Sequence, residues 1–241
     1  VLDLTSYAYT QDAATEGWID VYTVYANAFA NCAGIKKVIL PDSITSITAS
    51  MFVGYTNLEE VVISAATTKI DESAFENTGL KKITYKGYAG TDTFALPETL
   101  TTIGNSAFKG TKLENVVLST AAVSVGTSAF AESTVKTVTV NGENVSFGTS
   151  AFADCAELTT FTFNATTAKL NTSMFANCTA LNSVTLPSEI ASLPASLFEG
   201  CVKLATVEIP ETVTSMLRTF AGSYITSIDV PASVTTLNQT F

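Results

Sequence analysis

The chain has 241 residues, of which 46% are hydrophobic and 14% charged, and its formal net charge is −10. That much apolar material excludes an intrinsically disordered chain. The surplus of acids argues against nucleic acid and against charge-driven attachment to anionic lipid. The absence of any run of 18 apolar residues leaves no membrane insertion by a helix to expect.

Residues 1–19, ending just past Trp18, precede the first periodic segment and are expected to form an N-terminal cap. An open end of a repeat array would otherwise expose its interior and a strand edge. The chain opens Val1-Leu2-Asp3, without Met, as a trimmed or mature form would. From residue 20 to 241 the phenylalanines set a period: Phe29, Phe52, Phe75, Phe108, Phe130, Phe152, Phe175, Phe198, Phe220 and Phe241. All gaps but one lie between 21 and 23 residues, giving about nine copies of one unit.

Within a unit the apolar positions hold fixed offsets. The first reads Phe29, Ile35, Val38, Leu40, Ile47, and the seventh reads Phe175, Leu181, Val184, Leu186, Leu193. A constant seven-residue step recurs from Leu40 to Ile47, Ile63 to Ile70, Leu118 to Val125 and Val140 to Phe147. The alternation around Val38 or Val184 predicts a strand. Pro41, Pro97, Pro187, Pro210 and Pro231 follow that strand and end its ladder, since proline has no N–H to donate. Before each Phe lies a short polar stretch such as Glu72-Ser73-Ala74, where Ser can cap a single helical turn. One unit cannot bury its own apolar residues, but stacked units can.

These residues resemble the BspA-type leucine-rich repeats. The pattern Ala-Phe-x-x-Cys-x-x-Leu-x-x-Val-x-Leu-Pro-x-x-Ile recurs closely at Ala28-Phe29 through Ile47 and at Met174-Phe175 through Leu193. The resemblance covers roughly residues 20–241. It implies a right-handed α/β solenoid in one horseshoe-like domain, with parallel strands on the concave face and single short helical turns on the other side. It also implies an extracellular or cell-surface protein, secreted or attached to a bacterial cell, that acts in adhesion. No catalytic residues carry over from the family.

The chemistry of the side chains points the same way. There is no histidine, so the commonest general base and metal ligand is missing, and with it any Ser-His-Asp arrangement. Cys32, Cys155, Cys178 and Cys201 each lie three residues after a repeat Phe. They are expected to line the core as small apolar residues; a disulfide or a metal site would need convergence from a second direction. Shorter units carry Thr78, Thr111, Ser133 or Ser223 instead. No cofactor is expected. Two carboxylates about 5–9 Å apart in one pocket would restore an enzymatic interpretation.

Residues flanking the inward Val of each strand face outward. One column reads Ile39, Val62, Thr84, Val117, Thr139, Thr162, Thr185, Glu208, Asp229, and its neighbour reads Lys37, Glu60, Lys82, Asn115, Thr137, Thr160, Ser183. The threonines suit either a plain strand surface or a polar docking platform. The long gap holds an insertion at about 85–95, Tyr85-Lys86-Gly87-Tyr88-Ala89-Gly90-Thr91-Asp92-Thr93-Phe94-Ala95. Its aromatics either cover core opened by the insertion or contact a partner. The candidate partner-binding residues are therefore Tyr85, Lys86, Tyr88, Phe94, Lys37, Lys82, Thr84, Thr139, Thr162 and Thr185. The expected partner is a protein or glycan on a host or neighbouring cell; the alternative is a structural spacer with no specific ligand. The sequence stops on Phe241 with no capping segment, so self-association through that end is a further expectation.

Overall fold

The computed structural model describes residues 2–3, 34–119 and 122–240. Its strands in chain order are β1 (Leu2–Asp3), β2 (Lys37–Ile39), β3 (Ser46–Ile47), β4 (Glu60–Ile63), β5 (Lys69–Ile70), β6 (Lys82–Tyr85), β7 (Thr102–Ile103) and β8 (Asn115–Leu118). They continue as β9 (Ser124–Val125), β10 (Thr137–Val140), β11 (Val145–Phe147), β12 (Thr160–Phe163), β13 (Ala168–Lys169), β14 (Ser183–Thr185), β15 (Ser192–Leu193), β16 (Ser215–Leu217) and β17 (Thr236–Asn238).

Among the described residues, the turns from β2 to β15 each contribute one strand to each of two rows, the last two turns add only β16 and β17 to the second row, and every pairing is parallel. In the first row Val38 aligns with Val61 and Val61 with Ile83; further on, Val116, Val138, Phe161 and Val184 align in turn. These are the inward positions read from the sequence, and they fill the interior. The second row runs from β3 to β13 in six strands, with Ile47, Ile70, Ile103 and Val125 in register. A separate set, β15, β16 and β17, carries it through the last units. The fixed offsets therefore work as a register device, because a one-residue slip would turn each strand's apolar set outward.

The phenylalanines form the spine. Phe52, Phe75, Phe108, Phe130 and Phe152 stack nearly parallel, with centroids 4.9–5.4 Å apart. Between Phe152 and Phe175 the inward strand residue Phe161 wedges its ring, at 5.1 and 4.7 Å. The stack then resumes through Phe198 and Phe220.

The expected helical turns do not occur: among the described residues there is no helix, and the class is a parallel β-solenoid instead of α/β. The cause is a pair of left-handed residues flanking each described spine Phe, from Phe52 to Phe220, two positions away. Ser73 and Asn77 (φ 53° and 56°) bracket Phe75, and Ser106 and Gly110 (52° and 67°) bracket Phe108. A helix requires consecutive right-handed residues, and these positions break the run. The freed N–H groups point along the stack. Ser73, Phe75 and Asn77 donate to the carbonyls of Asn105, Ala107 and Lys109 in the next unit, each at 2.8 Å. The intervening Ala74 and Glu76 close tight turns onto Asp71 and Ser73. Backbone satisfaction thus alternates between the turn and its neighbour.

Of the expected N-terminal cap, Leu2–Asp3 is described and extends the first row by pairing with Val38 and Ile39. The rest of residues 1–19, with Trp18, lies outside the described residues, as do Phe29, Cys32 and Phe241.

Candidate functional site

The insert interrupts the first row. After β6 the chain turns at Tyr85–Tyr88, where Tyr88 N–H donates to the Tyr85 carbonyl at 3.1 Å and Gly87 takes φ 83°. It then returns so that Phe94 lies parallel to Ile83. The Ile83 N–H donates to the Thr93 carbonyl at 2.8 Å, and the Ala95 N–H to the Ile83 carbonyl at 2.9 Å. Ile83 has thereby given to Phe94 the edge that β8 would occupy. The row is split into two four-stranded sheets, β1-β2-β4-β6 and β8-β10-β12-β14.

Phe94 is not available to a partner. It is 2% exposed and meets Phe108 and Phe130 edge-on at 5.7 and 6.0 Å, filling the seam between units. Thr84 is likewise only 7% exposed, against the expectation of an outward platform position. Both belong to the packing of the split row.

The two tyrosines behave differently. Tyr85 and Tyr88 are half-buried with centroids 5.4 Å apart, and the Tyr88 hydroxyl donates to Asp92. That bond holds the Tyr88 phenol above its ordinary pKa, so it remains a donor. The Tyr88 ring closes over Gly90, where a β-carbon would fall 2.2 Å from the hydroxyl. Together the insert and β8 enclose a cleft of about 230 Å³, walled by Tyr85, Tyr88, Asp92 and Glu98 over a floor that includes Leu100 and Val123. Asp92 and Glu98, both exposed, line this one space.

The basic residues are already engaged. Lys86 leaves the insert to pair with Asp42 at 2.9 Å. Lys37 and Lys82 lie in register on either side of Glu60, with Nζ–Oε1 distances of 2.9 and 3.8 Å. Beside them Lys81 approaches Glu59 at 3.4 Å and Lys36 does so at 4.0 Å. The alternation Lys37, Glu60, Lys82 down one column forms a cross-strand charge ladder.

Thr139, Thr162 and Thr185 align across β10, β12 and β14 as expected. They stand on the far side of the seam from Lys37 and Lys82, so the candidate residues divide into two surfaces joined at the cleft. Polar ladders run beside them: Thr137 donates to Asn115 at 2.7 Å, and Asn164 to Asn141 at 2.8 Å. The acidic continuation, Glu208 and Asp229, falls in no strand; with Thr206 and Ser227 it borders a groove of about 550 Å³. On the last unit Tyr224, Val230 and Leu237 are exposed.

Cys155, Cys178 and Cys201 are free and buried, each donating to a carbonyl of the preceding unit at 3.1 Å: Phe130, Phe152 and Phe175. Burial pushes the Cys155 thiol up to about 11 and Cys201 to about 12, and raises Cys178 well above its usual value. Thr78, Thr111, Ser133 and Ser223, at the equivalent positions, instead donate to their own unit's Phe carbonyl. No group of acids and cysteines suited to a metal ion occurs among the described residues.

Stacked parallel strands, a phenylalanine spine and a fixed residue period define a solenoid repeat protein. The chain belongs to the family of BspA-type leucine-rich repeat regions, whose model matches in six copies over residues 19–91, 87–205 and 123–241. Three solved bacterial structures are similar. A leucine-rich repeat protein from Eubacterium ventriosum shares 17% identity over 85% of this chain and 81% of its own, with a TM-score of 0.37. One from Bacteroides ovatus shares 15% over 88% and 76%, also at 0.37. A leucine rich cell surface protein from Faecalibacterium prausnitzii shares 24% over 83% and 74%, at 0.38. No curated protein matches the chain. No helix among the described residues is long and apolar enough to cross a membrane.

Proposed function

We propose that this chain is a non-catalytic recognition module, displayed outside the cell or on its surface, that binds a protein or glycan partner in an adhesion-type role. The observation that carries this is the insert. A repeat array needs no interruption to be stable, yet here the insert at 85–95 splits a sheet and, with Glu98, walls a cleft with two half-buried tyrosines and two acidic residues. Aromatic rings beside hydrogen-bonding groups are the usual makings of a contact centre. Thr139, Thr162 and Thr185 on one side and the lysine–glutamate ladder on the other extend the surface available to a large partner.

The test compares the intact chain with Tyr88→Ala, which strips a cleft wall and leaves Phe94 in the core. Both are immobilised against a glycan array and against host and bacterial surface extracts. A defined component retained by the intact chain and lost by the variant is the expected result, with no release of reducing sugar from any glycan retained. Equal retention by both proteins removes the cleft from recognition. No retention by either favours a structural spacer.

A further inference from the structure

We propose that the cleft between the insert and β8 receives an organic ammonium group, primary or quaternary. This deepens the recognition role above and rests on the cleft being its contact centre. The lining decides the sign of the ligand. Asp92 and Glu98 bring two carboxylates to one cleft, and none of its lining residues is a lysine or arginine. The base next in sequence is directed elsewhere, since Lys86 pairs with Asp42 two units back. Lys81 and Lys82 are held beside Glu59 and Glu60.

An anion would meet two uncompensated carboxylates. A neutral sugar could use the carboxylates only as hydrogen-bond acceptors and draws no net charge attraction from them, which a cation does. An ammonium uses every group present: the carboxylates for charge, Tyr85 and Tyr88 for the attraction of a cation to an aromatic face, and Leu100 and Val123 for its alkyl substituents. The cleft is preformed by contacts internal to the insert. Asp92 accepts the Tyr88 hydroxyl, and the Tyr85 and Tyr88 rings lie 5.4 Å apart. One of Asp92's oxygens still has lone pairs to offer the ligand. Cleft volume, about 230 Å³, suits one small substituted ammonium and not a whole oligosaccharide. Lysine side chains, amino sugars and choline esters all present this chemistry.

The experiment is an amide chemical-shift titration of the full chain with tetramethylammonium chloride at constant ionic strength, sodium chloride being the reference. Saturable shifts confined to residues 85–100, 117–119 and 123 are expected, with a dissociation constant on the order of millimolar. Glu98→Gln should weaken binding by about threefold or more, and Tyr88→Ala further, with the remaining amide spectrum unchanged as the control for folding. Absence of saturation, or equal affinity in Glu98→Gln, overturns the proposal. Methyl glucosaminide against its N-acetyl form, and lysine methyl amide against norleucine amide, distinguish sugar from peptide sources. A preference for the acetylated, uncharged sugar also overturns it while leaving the recognition role intact. Loss of ammonium binding in Tyr88→Ala with undiminished capture of a partner leaves the ammonium site standing and removes that role from the cleft.

Discussion

Replacing Phe94 with Ala tests whether the insert is anchored in the core. The ring is 2% exposed and meets two spine residues edge-on, so truncation removes a transfer contribution of about 2–3 kcal/mol. The space left between Phe108 and Phe130 cannot close fully, because both rings are fixed by the stack above and below. That adds about 1–2 kcal/mol, for a total near 3–5 kcal/mol. The loss should be local, since each unit contacts only its neighbours. Urea unfolding followed by far-UV circular dichroism should show a lowered midpoint and a broadened or split transition. Hydrogen exchange should speed first at Ile83 and Ala95, whose amides take part in the strand pairing with the insert. Tyr88→Ala, at a half-buried position in the same loop, should cost under about 1 kcal/mol. A cost below about 1 kcal/mol for Phe94→Ala, or one equal to that of Tyr88→Ala, would refute the anchoring argument.

Three further outcomes are expected. A β-carbon at Gly126 would lie 2.6 Å from the backbone of Gly104 and Asn105, so Gly126→Ala should cost about 1–3 kcal/mol by thermal unfolding, whereas Gly34→Ala, with nothing among the described residues within 4 Å of the added carbon, should be near neutral. Glu143 is held down to about 2, first by the Thr167 hydroxyl and then by the Thr166 and Thr167 amides. A depressed carboxylate stabilises the fold above its unfolded value near 4.5 and loses that contribution as pH falls toward 2. The Tm difference between the native chain and Glu143→Gln should therefore be present at pH 7 and shrink to nothing near pH 2. Cys155, Cys178 and Cys201, buried and with raised pKa values, should resist a thiol reagent at pH 8 until denaturant is added, as read site by site by mass spectrometry. Prompt labelling of any of the three would contradict the buried ladder.

The stacked first row of strands was legible in the sequence because its causes are periodic, whereas the second row stands where one strand per unit and a helical turn were expected. Val38, Val61 and Ile83 fall in register, and the seven-residue step to Ile47, Ile70 and Ile103 places the second row. The helical turn was misjudged at Ser73 and its equivalents. Serine before Ala-Phe looked like a cap, but the informative residues lie two places beyond the Phe: Gly54, Asn77, Gly110, Asp154, Asn177, Gly200 and Gly222 are types that tolerate a left-handed backbone, and all adopt it. A repeated Gly, Asn or Asp at that offset marks paired tight turns. Within the insert, Phe94 and Tyr88 could not be told apart by composition. Which of two nearby aromatics turns inward depends on Phe94 pairing with Ile83, a tertiary event with no local signature. For the same reason Asp92 and Glu98 could not be assigned to one cleft before the chain path between them was known.

The split in the first row bears on how such a protein can vary. Everything that shapes the cleft lies between Tyr85 and Val123, so it is the property of two adjacent turns. Turns gained or lost on either side would alter the molecule's length, and hence how far the cleft is held from any anchor, without touching its walls. Length and the form of the cleft are thereby separable quantities in this chain, one set by the count of regular turns and the other by a single irregular one.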